Sequence, residues 1–136
     1  MRRSARPAPA GLRVEVCFTL RRDLGAAALL RRCARHAALA EGLWHGSLSV
    51  AVVGARRMAR LHQRYSGESG ATDVLTFDLG TERRRGRIEG EIVICADVAR
   101  AAVSSAARPR RASAAALRSE LALYVVHGVL RLAGWS

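Results

Sequence analysis

The strongest constraint on this chain lies in its last third. Residues 113–132 read as one long helix. Its apolar positions (Leu117, Leu121, Leu123, Val125, Val126, Val129, Leu130 and Leu132) spread over nearly the whole circumference. A helix that is apolar nearly all round belongs in an interior. In 136 residues, the size of one ordinary domain with a single core, it must pack against whatever else the chain builds.

The remainder supplies a sheet. Residues 14–20 (VEVCFTL) and 47–53 (SLSVAVV) have the β-prone composition of strands. Between them Leu24, Ala27, Leu30, Ala34 and Ala37 recur at helical spacing, with Asp23 placed as N-cap and Gly42 and Gly46 as breakers. Residues 55–65 fit a second helix and 66–71 (SGESGA) a loop. Residues 73–77 (DVLTF) and 88–95 read as strands three and four, a hairpin joined by a basic connector at 81–87. Asp97 opens another helical stretch, and 108–111, around Pro109, reads as a connection. The order β-α-β-α-β-β-α-α implies one α/β domain over residues 12–136, with a mixed sheet of about four strands, helices packed on it and a long buried C-terminal helix. The first crossover is expected to join parallel strands with right-handed sense. Residues 1–11 read as a flexible tail.

Half of the residues are apolar and only 4% are aromatic, so Ala, Val, Leu and Ile must fill the core. The formal net charge is +12, and every basic residue is Arg. A coding bias would produce that without functional meaning. A polyanion partner would favour the same residue, because guanidinium forks onto phosphate and the field promotes encounter with nucleic acid. Cysteines 17, 33 and 95 are odd in number and widely spaced, which excludes a disulfide framework and a C-x-x-C zinc site and points to a reducing, cytoplasmic setting. Charges interrupt every apolar run before it reaches membrane-spanning length, and the start of the chain lacks a signal peptide's apolar stretch, so no membrane partner is expected.

Against the apolar last helix, Glu120, Tyr124, His127 and Arg131 fall along one narrow stripe at spacings of four, three and four. Buried ionisable groups are costly unless paired or functional. Two readings follow from the residues alone. Glu120 and Arg131 are structural partners and His127 a satisfied core histidine, or the stripe is a site.

Three blocks add to that pattern. His127-Gly128-Val129-Leu130-Arg131-Leu132-Ala133-Gly134-Trp135 resembles the signature H-G-x-L-H-L-x-G-[YHW]-D-H of the YbeY family. Leu61, Tyr65, Gly67 and the run Thr72 to Phe77 (TDVLTF) are similar to that family's Y-R-G…T-D-V-L-S-F segment, and Gly90 to Cys95 (GEIVIC) to its G-[DE]-I-V-I-C. The blocks stand in the family's order and spacing, over roughly residue 12 to the end. The resemblance implies a metal-dependent, single-strand-specific endoribonuclease acting in 16S rRNA 3′-end maturation and ribosome quality control, with ribosomal RNA and the ribosome as partners. It also implies a zinc ion held by three histidines, whose open position lowers the pKa of a bound water. Zinc proteases share the H-x-x-x-H-x-x-G spacing but carry Glu after the first histidine, where this chain has Gly128.

The chain departs from the signature at its ligands. His127 matches the first metal position, Arg131 stands at the second, and guanidinium has no lone pair to give. Ser136 falls at the motif's Asp, and the chain ends one residue before the third histidine, as a chain cut short at its C-terminus would. Ser66 replaces the Arg that follows the family's Tyr. Arg131 and Glu120 are therefore the catalytic candidates, His127 the metal candidate, and Arg83, Arg84, Arg85 and Arg87 the RNA-contact candidates, although such a charge run is commonly a solvated loop. Zinc is the cofactor the resemblance implies, and His127 is the one ligand position of the three that this chain matches. The alternative function is a degenerate relative that binds RNA or the ribosome without hydrolysis. Thr72 and Asp73 are expected to fix the backbone entering the third strand. His36, on the exposed side of the first helix, His45 in a turn and His62 in the second helix are given structural or solvent roles.

Overall fold

A computed structural model describes residues 11–20, 24–66, 72–106 and 113–135. Four strands form one sheet in the order β1-β2-β4-β3, from β1 (Leu12–Phe18), β2 (His45–Val53), β3 (Val74–Asp78) and β4 (Arg87–Cys95). β1, β2 and β4 run parallel, and β3 pairs antiparallel to β4. The helices are α1 (Ala27–Ala40), α2 (Ala55–Ser66), α3 (Ala96–Ala106) and α4 (Ala114–Leu132). The α/β class, the mixed four-strand sheet, the hairpin and the long last helix all stand as the sequence implies.

The boundaries differ for local reasons. β1 begins two residues earlier than expected, because its register with β2 starts at Leu12 opposite Gly46, and the Gly46 N–H donates to the Gly11 carbonyl at 2.8 Å. β2 therefore includes His45 and Gly46, which were read as a turn and a helix breaker. Leu24 has φ +60 and lies outside α1, whose N-cap is Ala26 with no side-chain cap. Asp23, the expected cap, lies outside the described residues, as do the connection at 108–111 and loop residues 67–71. Ser66 is the last residue of α2 rather than the first of a loop. Ser113 caps α4, its Oγ accepting the Ala116 N–H at 3.1 Å. Asp97 caps α2 from across the fold, its Oδ2 accepting the Ala55 N–H at 2.7 Å.

Strand alternation divides the sheet into two faces. Leu48, Val50, Val52, Ile88, Ile92, Ile94 and Val74 point to one side and form the main core with Leu30, Ala34 and Ala38 of α1 and Leu121, Val125 and Val129 of α4. Each large side chain buried there contributes about 1.5–3 kcal/mol. The other face holds a smaller cluster of Val53, Val93 and Cys95 under Met58 of α2. α4 is buried along Leu121, Tyr124, Val125, Gly128, Val129 and Leu132, whereas Leu123 is left 46% exposed.

Two glycines set how closely α4 lies on β4. A Cβ at Gly128 would stand 2.6 Å from Ile92 Cγ2, and one at Gly90 would stand 2.8 Å from Leu132 Cδ1. The Ile92 methyl is held by a β-branched side chain with little freedom to turn away. Overpacking of this kind costs about 1–3 kcal/mol, while replacing a mid-helix glycine by alanine returns up to about 1 kcal/mol of helix propensity. Gly128→Ala is expected to lower the unfolding free energy by roughly 1–2 kcal/mol. The change reads as a lower urea midpoint at unchanged slope. A midpoint at or above the parent's would show that the contact with Ile92 is not limiting.

Candidate functional site

The polar stripe of α4 lies beside β3, an edge strand of the sheet. Tyr124 is buried, and its hydroxyl bonds to the Glu120 carboxylate one turn earlier. Burial above all, then that hydrogen bond and the negative charges of Glu120 and Asp73, hold the phenol well above its ordinary range. His127 and Arg131 are exposed on the same flank. Arg131 Nη1 donates to the Val74 carbonyl of β3 at 3.4 Å.

The partnership of Glu120 with Arg131, one of the two readings of the stripe, is absent. Eleven residues of helix separate them by roughly 16 Å of rise. Side chains on one stripe meet only three or four residues apart. Glu120 therefore pairs with Tyr124, and Arg131, leaning toward the N-terminus as helical side chains do, reaches the strand instead. His127 is not a satisfied core histidine either, since it stands exposed and no hydrogen bond or ion pair engages it among the described residues.

Asp73 has the structural task expected of it. Its Oδ1 accepts the Val74 N–H at 2.7 Å and the Thr72 hydroxyl at 3.4 Å, and its carbonyl accepts the Cys95 N–H at 3.0 Å. These bonds fix the start of β3 opposite Arg131. Burial pushes the Cys95 thiol up.

The four arginines of the β3–β4 connection have separate fates. A 3-10 turn, Arg83–Arg85, presents the first three at the C-terminal end of α4. Arg83 Nη1 donates to the Ala133 carbonyl at 2.9 Å, and Arg87, the first residue of β4, pairs with Glu82 at 3.7 Å and Glu89 at 3.5 Å. Arg84 and Arg85 are exposed, and no ion pair engages their guanidinium groups among the described residues. His36 and His62 lie on their expected helices, while His45 opens β2 with its Nε2 at 2.8 Å from the Arg85 carbonyl.

Residues carried by the family blocks do not all gather at His127. Tyr65, Phe77 and Glu91 line a groove of about 380 Å³ on the opposite face of the sheet, with Thr19, Ser49 and Arg57. Tyr65 packs its ring edge-on to Phe77 at 5.1 Å. Alternation along β3 and β4 explains the split, because odd-numbered residues such as Phe77 and Glu91 face away from α4.

The zinc set implied by the resemblance does not fit the residues present. His127 is a single ligand, and the cation at 131 is bonded to a backbone carbonyl. No group of three or more His, Cys, Asp or Glu side chains converges among the described residues.

Fold and stripe define an α/β domain whose last helix presents His127 and Arg131 beside β3, an edge strand of its sheet. Residues 21–136 match the family described as endoribonuclease YbeY, and the chain belongs to that family. It is similar to the endoribonuclease YbeY of Anaeromyxobacter sp., at 35% identity over 114 residues, 84% of this chain and 56% of the relative. The endoribonuclease YbeY of Kineococcus radiotolerans is 38% identical over 95 residues, 65% of this chain and 51% of that one. The chain thus spans little more than half the length of these relatives. Among solved structures, the solution structure of a Thermotoga maritima protein matches 90% of this chain and 73% of its own, with a TM-score of 0.57 and 25% identity.

The buried phenol gives a pH prediction. A group whose folded-state pKa is raised stabilises the fold fully below its unfolded value, near 10.0, and that contribution is lost as pH rises toward the folded value. Stability of the parent is expected to fall above about pH 10, and Tyr124→Phe to flatten that decline. Chemical denaturation at a series of alkaline pH values reads both. An equally steep decline in the variant would show that other groups set it.

Proposed function

We infer that this chain is an endoribonuclease of single-stranded RNA that works in 16S rRNA 3′-end maturation and ribosome quality control. Membership of the YbeY family is the observation that carries the reading. The partners proposed are ribosomal RNA and the ribosome, engaged through the +12 net charge and first through Arg84 and Arg85, whose guanidinium groups pair with no carboxylate among the described residues. A cytoplasmic setting is proposed from the three cysteines, all free thiols. No helix among the described residues is long and apolar enough to cross a membrane.

Arg131 favours a second reading, in which RNA or the ribosome is bound without hydrolysis. Its guanidinium makes one long bond to Val74 and keeps further N–H donors, one turn from His127 on an exposed flank. That arrangement suits holding a phosphate better than holding a cation. On either reading zinc is held weakly, because a lone imidazole beside a fixed positive charge is a poor site for a divalent ion.

One experiment separates the readings. A labelled single-stranded fragment of the 16S rRNA 3′ end is incubated with the parent, His127→Ala and Arg131→Ala, with and without zinc, and binding and cleavage are both measured. Cleavage that His127→Ala abolishes supports the endoribonuclease. Binding without cleavage, weakened about 10- to 100-fold in Arg131→Ala as for a charge-assisted contact, supports the second reading. Neither binding nor cleavage by the parent overturns both. Arg131→His, which restores two histidines four residues apart, is expected to take up zinc more tightly than the parent, and equal uptake would overturn the account of weak zinc binding.

A further inference from the structure

The chain has two tryptophans, and both stand in the open at one end of the molecule, Trp44 60% and Trp135 62% exposed. An indole offers a large apolar face that folding normally hides. In a chain with only six Trp, Tyr and Phe residues, leaving both indoles outside forgoes much of the aromatic surface available to the core.

Three segments converge to hold them. The Trp44 indole rests on Gly86, where a Cβ would collide with it, and the Trp44 backbone N–H donates to the Gly86 carbonyl at 2.8 Å. His45 packs against the same indole, ring centroids 4.2 Å apart, and its Nε2 lies 2.8 Å from the Arg85 carbonyl. Trp135, just past α4, donates its indole N–H to Glu41 Oε1 at 2.7 Å, on the corner that leads to Trp44. Arg83 ties the 3-10 turn to the Ala133 carbonyl. The indoles are thus anchored along one side while most of their surface remains open. Arg84 and Arg85, exposed and without ion pairs among the described residues, stand on the turn against which Trp44 rests.

We propose that Trp44 and Trp135, with Arg84 and Arg85, form a platform on which unpaired bases of a single-stranded RNA stack while the guanidinium groups hold its phosphates. The proposal rests on the reading that the chain acts on single-stranded RNA. Anchored aromatic faces beside cations suit a polyanion with flat apolar surfaces. Single-stranded nucleic acid offers both, because its bases are free to stack on aromatic side chains. A duplex hides its base faces within its own stack. His127 lies five residues before the end of α4, roughly 7.5 Å of helical rise, and Trp135 follows three residues past that end, so a strand seated on the platform would be held in register with the flank that carries His127.

Because both tryptophans belong to the platform, intrinsic fluorescence reports on it directly. A single-stranded 16S rRNA 3′-end oligonucleotide is expected to quench the emission of the full chain. The same sequence in a duplex, and vesicles of anionic phospholipid, are expected to leave it nearly unchanged. Anisotropy of the labelled oligonucleotide is expected to show binding about 5- to 100-fold weaker for Trp44→Ala and Trp135→Ala. Trp44→Tyr, which keeps a stacking ring, should restore most of that loss. Arg84→Ala with Arg85→Ala, at exposed positions outside the core, is expected to weaken binding and reduce its salt dependence. Parent-like affinity in Trp135→Ala and in the double arginine variant would overturn the platform while leaving the RNA reading in place, as would quenching by vesicles or duplex equal to that by the single strand. A parent that binds no RNA would overturn both.

Discussion

The seat of α4 on β4 is the contact from which the rest of the molecule takes its geometry. Gly128 against Ile92 and Gly90 against Leu132 remove the side chains that would hold helix and strand apart. The helix can then bury Leu121, Val125 and Val129 in the same core that α1 closes beside it on the same face of the sheet. The rotation that buries those residues turns His127 and Arg131 outward beside β3. It also brings Ala133 to Arg83 and Trp135 to Glu41. Packing thus decides which side chains of the last helix are available to a ligand.

Much of this was legible in the sequence because it depends on periodicity. The helical period of α1 specifies its covered face, the apolar circumference of α4 specifies an interior helix, and the β3–β4 hairpin follows from two short β-prone runs. Boundaries were less legible. Register begins where backbone groups pair, and Gly46 looks like a breaker until its N–H is seen to reach Gly11. The α4 stripe was legible as a stripe but not as a set of partners, since angular position around a helix says nothing of distance along it. Glu120 and Arg131 share a face and stand too far apart to meet. The exposed setting of Trp44 left no periodic trace, because a corner residue obeys no repeat.

β3 is the element on which the functional residues diverge. Phe77 faces the open groove with Tyr65 and Glu91, while the start of the strand, fixed by Thr72 and Asp73, meets Arg131 of α4. The motif blocks that identify the family therefore serve two surfaces and the core between them. Gly90 is as much a packing residue as its neighbour Glu91 is a surface one.

The bond from Arg131 to Val74 has a consequence for association. Asp73 turns its carbonyl inward to Cys95, so by strand alternation Val74 turns its N–H and carbonyl away from the sheet. The unpaired edge of a sheet is a template on which a strand of another molecule can add itself, and proteins guard such edges with charged side chains. Here the Asp73 carboxylate takes the outward N–H and the Arg131 guanidinium takes the outward carbonyl of the same residue. The Arg131 guanidinium therefore closes the first rung of β3 to a neighbouring chain.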